Sequence, residues 1–169
     1  MTHRRHRSDR PSPEGLDLCR QRCQGGSGGI AGQQEESTVF ENSRAFPGVS
    51  TDDVAASKEF YADRLGLTVT DTMGGIDVEL PGGAHLFVYE KPNHEPSSYT
   101  FLNFGVEDID AAVDELRAAG VETKIYSDED FPTDSRGIAR GLGGGPDIAW
   151  FKDPSGNVLA VLADPGPDA

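Results

Sequence analysis

Apolar positions in this chain follow two periods, and the two alternate along the sequence. Ile109, Ala112, Val113, Leu116 and Ala119 recur at helical spacing, which places them on one buried stripe of a helix. Around it lie short runs that suit strands: residues 99–107, 121–126, 147–152 and 157–163. The same order occurs once before, because DDVAASKEFYADRLGL (52–67) matches EDIDAAVDELRAAGV (107–121) at an offset of 55 that becomes 54 after one slip. Both segments open on acidic residues fit to cap a helix and close on Gly ahead of an apolar strand start. Strand candidates at 45–51, 67–72, 76–80 and 84–90 complete the first copy, and residues 91–96 link the two. The expected fold class is therefore α+β: two tandem βαβββ modules, 43–92 and 98–164, forming a curved mixed sheet around a cleft with the helices outside.

Residues 1–38 follow neither period. Arg, Gly, Gln, Ser and Pro dominate there, GGSGG included, so a disordered tail is expected ahead of a folded region at 39–169. Cys19 and Cys23 with His3 and His6 imitate zinc-ligand spacing, but too few apolar residues surround them to build a metal-nucleated module. Gln34-Glu35-Glu36 can be encoded by a purine-rich run of the kind that precedes a bacterial start codon, and Val39 by GTG. Translation from Val39 and a genuine flexible extension stand as equal alternatives.

Charge narrows the partners. Residues 39–169 carry nine Lys or Arg against 24 Asp or Glu, a net −15, which disfavours nucleic acid and draws in cationic ligands. With no long apolar run, and no apolar stretch behind the basic MTHRRHRSDR, neither membrane insertion nor export is expected, and the cytoplasm is the default.

VSTDDVAASKEFYADRLGL, GVEDIDAAVDELRAAGV and WFKDPSGNVLAVL, in that order over roughly residues 43–164, resemble the vicinal oxygen chelate (VOC) superfamily of glyoxalases, bleomycin-resistance proteins and extradiol dioxygenases. The resemblance implies a cleft that holds one divalent metal through His and Glu side chains on the first and last strand of each module. Those positions fall on Phe46, Phe87, Phe101 and Ala160, and none of the four can bind a metal. Residues 39–169 contain only His85 and His94 and no Cys, so neither metal nor cofactor is expected. The resemblance also implies a homodimer that binds ligand in grooves between subunits.

Strand alternation then lines the cleft with Phe46, Ser50, His85, Phe87, Tyr89, Phe101, Asn103 and Ala160, joined by Trp150. Such a lining suits an aromatic small molecule, while three Phe side chains equally suit core packing that fills the space. His85 and Tyr89 are the only pair placed for proton transfer; a hydrogen-bonded structural His85 is the competing reading. Asp128, Glu129, Asp130 and Asp134 offer oxygen ligands to a hard cation or form a solvated acidic loop. The glycine-rich run 141–146, flanked by Arg136 and Arg140, reads as a flap. The expected function is a small-molecule-binding protein that sequesters a cationic or aromatic ligand. The alternatives are a metal-dependent glyoxalase-, epimerase- or dioxygenase-like enzyme with ligands placed elsewhere, and a noncatalytic partner that docks through its acidic face.

Overall fold

Both helices start where acidic residues cap them. In the computed structural model of the protein, which describes residues 40, 41 and 43–164, Asp53 Oδ1 accepts the Ala56 N–H at 2.9 Å and Asp108 Oδ1 accepts that of Ala111 at 3.1 Å. The tail, with Cys19, Cys23, His3, His6 and the alternative start at Val39, lies outside the described residues.

Helix α1 (Val54–Glu59) continues into one π-helical turn, Phe60–Arg64, and helix α2 spans Ile109–Ala118. Strands β1 (Gly48–Thr51), β2 (Thr68–Thr72), β3 (Gly75–Glu79) and β4 (His85–Glu90) surround α1 in sequence; β5 (Thr100–Val106), β6 (Ile138–Ala139), β7 (Ile148–Lys152) and β8 (Val158–Ala163) surround α2. They form two four-stranded mixed sheets with equivalent orders, β1-β4-β3-β2 and β5-β8-β7-β6, in which the first and last strand of each module run parallel. The fold is the α+β, two-module βαβββ architecture, with its sheets not closed.

One strand differs from the sequence expectation. Residues 121–126 do not join the second sheet; Ile138–Ala139 pairs with β7 instead. The apolar side chains of the intervening segment find partners on the sheet's outer face, where Tyr126 and Phe131 pack their rings on Trp150 with centroids 5.5 and 5.0 Å away. Gly137 makes the return possible: its φ is +86°, and a Cβ there would stand 2.4 Å from the Thr123 carbonyl oxygen.

A single core joins the modules. Ile76, Val78, Leu86 and Val88 of the first sheet pack with Phe60 and Tyr61, and the same cluster takes in Ile109 and Val113 of α2 and Phe151, Leu159 and Val161 of the second sheet. The Asp153–Asn157 turn seals this seam with polar groups. Thr51 Oγ1 meets Ser57 Oγ at 2.8 Å and Ser155 Oγ at 2.6 Å, Ser155 Oγ donates to Asp52 Oδ1 at 2.7 Å, and Asn157 Nδ2 donates to the Ser50 carbonyl at 3.0 Å. Every buried side-chain polar atom among the described residues is satisfied.

Candidate ligand face on the first sheet

The two sheets use their outer faces differently, and that difference locates the candidate site. On the second sheet, Ala139, Trp150, Val158 and Ala160 form a buried cluster beneath Ile125, Tyr126, Phe131 and Ile148. The two central strands of the first sheet alternate. Along β4, Leu86 and Val88 are fully buried while His85 and Phe87 are half-buried and Tyr89 is exposed, and along β3 Ile76 and Val78 point inward while Asp77 does not.

Phe87 and Tyr89 therefore stand side by side on the open face, their rings stacked with centroids 5.8 Å apart and planes 24° apart. Gly48 lies opposite Phe87 in the parallel pairing, and its Cα side faces the Tyr89 ring, from which an ideal Cβ would stand at ordinary contact distance, 3.7 Å. Phe46, 55% exposed just before β1, lines the adjoining hollow of about 570 Å³ with Phe87, Arg44, Thr70, Thr72, Met73 and Asp77.

His85 completes this face. Its Nδ1 lies 2.6 Å from Asp77 Oδ2. A carboxylate only accepts, so Nδ1 carries the hydrogen and, in the neutral ring, Nε2 is left as an acceptor.

Of the nine residues expected to line one cleft, Phe46, His85, Phe87 and Tyr89 share this face. Ser50 lies at its edge, where its Oγ bonds His94 Nδ1 at 2.8 Å; His94 Nε2 in turn donates to the Ser155 carbonyl at 2.9 Å, so Ser50 is tied into the seam. Trp150 and Ala160 lie in the covered cluster of the second sheet. Asn103 is exposed and pairs with Ala160, whereas Phe101 occupies a register shift in β5 and packs on the main core. Asp77, Arg44, Thr70, Thr72 and Met73 are absent from the sequence-derived list. Asp77 was reachable through the β3–β4 hairpin, whose alternation puts it on the same face as His85 once Asp77 is paired with Phe87.

The metal implied by the family resemblance finds no donors at its expected positions. Phe46, Phe87, Phe101 and Ala160 offer none, and the residues that pair in register with Phe87 and Ala160 are Gly48 and Asn103. Among the described residues no group of three or more His, Cys, Asp or Glu side chains is arranged to hold a metal ion. The acidic loop is satisfied by protein donors: Asp128 takes the Lys124 ammonium at 2.8 Å, Asp130 the Ser127 hydroxyl at 2.7 Å, and Asp134 the backbone N–H groups of Arg136 and Ile138.

Comparison with known proteins agrees with this architecture. The fosfomycin resistance protein FosX from Listeria monocytogenes superposes with a TM-score of 0.56 at 12% identity, over 74% of this chain and 95% of that one. A glyoxalase family protein from Enterococcus faecalis gives 0.51 at 22% identity, over 73% and 98%. TnmS3, an antibiotic-binding protein from Streptomyces sp. CB03234, gives 0.51 at 21% identity, over 73% and 98%. No curated protein sequence matches the chain. At these identities the likeness is one of fold. Residues 45–161 match the family model described as Glyoxalase/Bleomycin resistance protein/Dioxygenase superfamily, and with 117 of its 169 residues inside that match the chain belongs to this superfamily.

Proposed function

We propose that the chain is a small-molecule-binding protein that holds an aromatic or cationic compound against the outer face of its first sheet, without the family's metal and as a homodimer in the cytoplasm. The observation that carries this reading is the aromatic surface left open at the middle of that sheet. Phe46 is 55% and Tyr89 36% exposed, Phe87 stacks on Tyr89, and Phe46 and Phe87 line a hollow of ligand size. The donor-free positions Phe46, Phe87, Phe101 and Ala160 favour binding over metal chemistry. TnmS3, described as an antibiotic-binding protein, provides a precedent for ligand capture on this fold. The net −15 of residues 39–169 favours a cation over an anion.

A thermal-shift screen against aromatic cations, neutral aromatics and aromatic carboxylates tests the reading. A ligand present at about 100 times its Kd stabilises the fold by about 2.7 kcal/mol, which is readily seen as a rise in Tm. Stabilisation by aromatic cations is expected. Failure of every compound to raise Tm, or a stoichiometric metal in the purified protein, would move the assignment to another class. Sedimentation velocity reads the oligomeric state in the same samples.

A further inference from the structure

We propose that the Asp77–His85 pair makes the open face of the first sheet selective for planar aromatic cations that present N–H donors. The inference rests on the reading of that face as a binding surface and adds the chemistry of its occupant. Register supplies the layout. In the antiparallel β3–β4 pairing Glu79 lies opposite His85, Asp77 opposite Phe87, and Gly75 opposite Tyr89. The line His85, Phe87, Tyr89 on one strand is thus flanked by two carboxylates and a glycine on the next.

Three requirements on a ligand follow. First, the 2.6 Å contact from Asp77 Oδ2 to His85 Nδ1 fixes the hydrogen on Nδ1, and among the described residues Nε2 has no partner. In the neutral ring that nitrogen is a half-buried acceptor, best satisfied by a ligand that brings a donor. Second, Phe87 and Tyr89 present a two-ring face with planes 24° apart, which takes a flat ring system by stacking and a cation through the ring quadrupoles. Third, Asp77 and Glu79 put two carboxylates beside this face, against the single guanidinium of Arg44 at the rim of the hollow. An aromatic carboxylate meets the wrong charge there, and a neutral hydrocarbon leaves Nε2 unsatisfied. A flat cation whose edge carries N–H groups meets all three requirements.

Two fluorescent dyes of one ring system separate the contributions. 9-Aminoacridine is an aromatic cation with N–H donors at neutral pH; 10-methylacridinium has the ring and the charge but no N–H. Each is titrated into the full chain and into His85→Phe, Asp77→Ala and Phe87→Ala, with circular dichroism confirming that every variant is folded. The wild type is expected to bind 9-aminoacridine at least tenfold more tightly than 10-methylacridinium. His85→Phe, which keeps the apolar area, should bring that ratio close to one by weakening 9-aminoacridine alone. Asp77→Ala should lower the ratio in the same direction, and Phe87→Ala should weaken both dyes together. Equal affinity for the two dyes, or a ratio unchanged in His85→Phe, overturns the donor selectivity and leaves the aromatic face as a binding surface. If neither dye binds, or if Phe87→Ala changes nothing, the binding face itself is wrong and this inference falls with it.

Discussion

The Tyr61 hydroxyl donates to Asp153 Oδ2 at 3.2 Å, and this single contact ties the π-helical turn of the first module to the strand turn of the second across a fully buried seam. Asp153 also accepts from the Asn157 backbone N–H at 2.8 Å and from Asn157 Nδ2 at 2.9 Å. Burial pushes the Asp153 carboxyl above its ordinary range, with the hydrogen bonds from Asn157 and Tyr61 opposing it in part. Burial, and then the neighbouring carboxylate, push the Tyr61 phenol upward as well, so it remains a donor across the working pH range. Tyr61→Phe should therefore cost about 1–3 kcal/mol in urea unfolding, because it leaves a buried acceptor one partner short while preserving the ring that packs on Phe60. A loss below about 0.5 kcal/mol would mean that the seam is held by the apolar core alone.

The same carboxyl sets a pH dependence whose sign is fixed. Its folded value lies above the ordinary 3.8, so the proton is bound more tightly in the folded chain than in the unfolded one. The stability this contributes is complete below the ordinary value and is lost as pH rises through the raised one. Asp153→Asn has no such titration, and it shares every other ionisable group with the wild type. The wild-type advantage over Asp153→Asn should shrink between pH 4 and pH 7, measured as the difference in unfolding free energy. An advantage that grows over this interval would contradict the upward shift.

Arg140 makes the opposite case. It bonds Asp147 at 2.9 Å, Asp110 at 2.6 Å and Asp134 at 3.3 Å, while Asp110 and Asp114 also face Arg136. The Arg140 guanidinium holds the Asp147 carboxyl below its usual range; at Asp134 the backbone N–H groups of Ile138 and Arg136, together with Arg140, outweigh burial in the same direction. These contributions are present above the ordinary carboxylate value and are lost as pH falls through the lowered ones. Arg140→Gln should thus be less stable than the wild type at pH 7, and the gap should close below pH 3.8 and narrow in 1 M salt. Because Asp147 Oδ1 also accepts the Gly141 N–H at 2.8 Å, faster amide exchange at Gly141 is expected in the same variant. A gap independent of both pH and salt would exclude this ion-pair network as its source.

What could be read in advance follows from the range of each interaction. The repeat was legible because its signals are local: an acidic cap, a helical stripe and a closing Gly recur within some fifteen residues of each other. The strand expected at 121–126 was not, because Val121, Thr123 and Ile125 alternate with polar residues as a sheet edge would, while Ile125 and Tyr126 turn to another partner. Their packing against Trp150, more than twenty positions on, decides the outcome. The Asp153–Asn157 turn carries local turn residues, Pro154 and Gly156, yet its partner Tyr61 lies 92 positions away and nothing local announces it. At the candidate face, β4 gave His85, Phe87 and Tyr89 by simple alternation. Asp77 required the β3–β4 register, and Phe101 was displaced by an irregularity in β5 that alternation does not anticipate.

The contrast between the two outer faces offers a last test, since aromatic residues occur on both. Phe131 packs on Trp150 and Tyr126 over Ala160, so Phe131→Ala should destabilise by about 2–3 kcal/mol, less than the 3–5 kcal/mol of a fully enclosed ring because Phe131 is half-buried. Phe87 is half-buried as well, but it stacks on one ring, Tyr89, where Phe131 packs on two, so Phe87→Ala should cost less, about 1–2 kcal/mol. Urea unfolding of the two variants measures both. If Phe87→Ala proves as costly as Phe131→Ala, the first sheet's aromatic residues serve packing and not a ligand. If the difference holds, the Phe87–Tyr89 pair contributes less to folding than the covered cluster of the second sheet, as the proposed binding face requires.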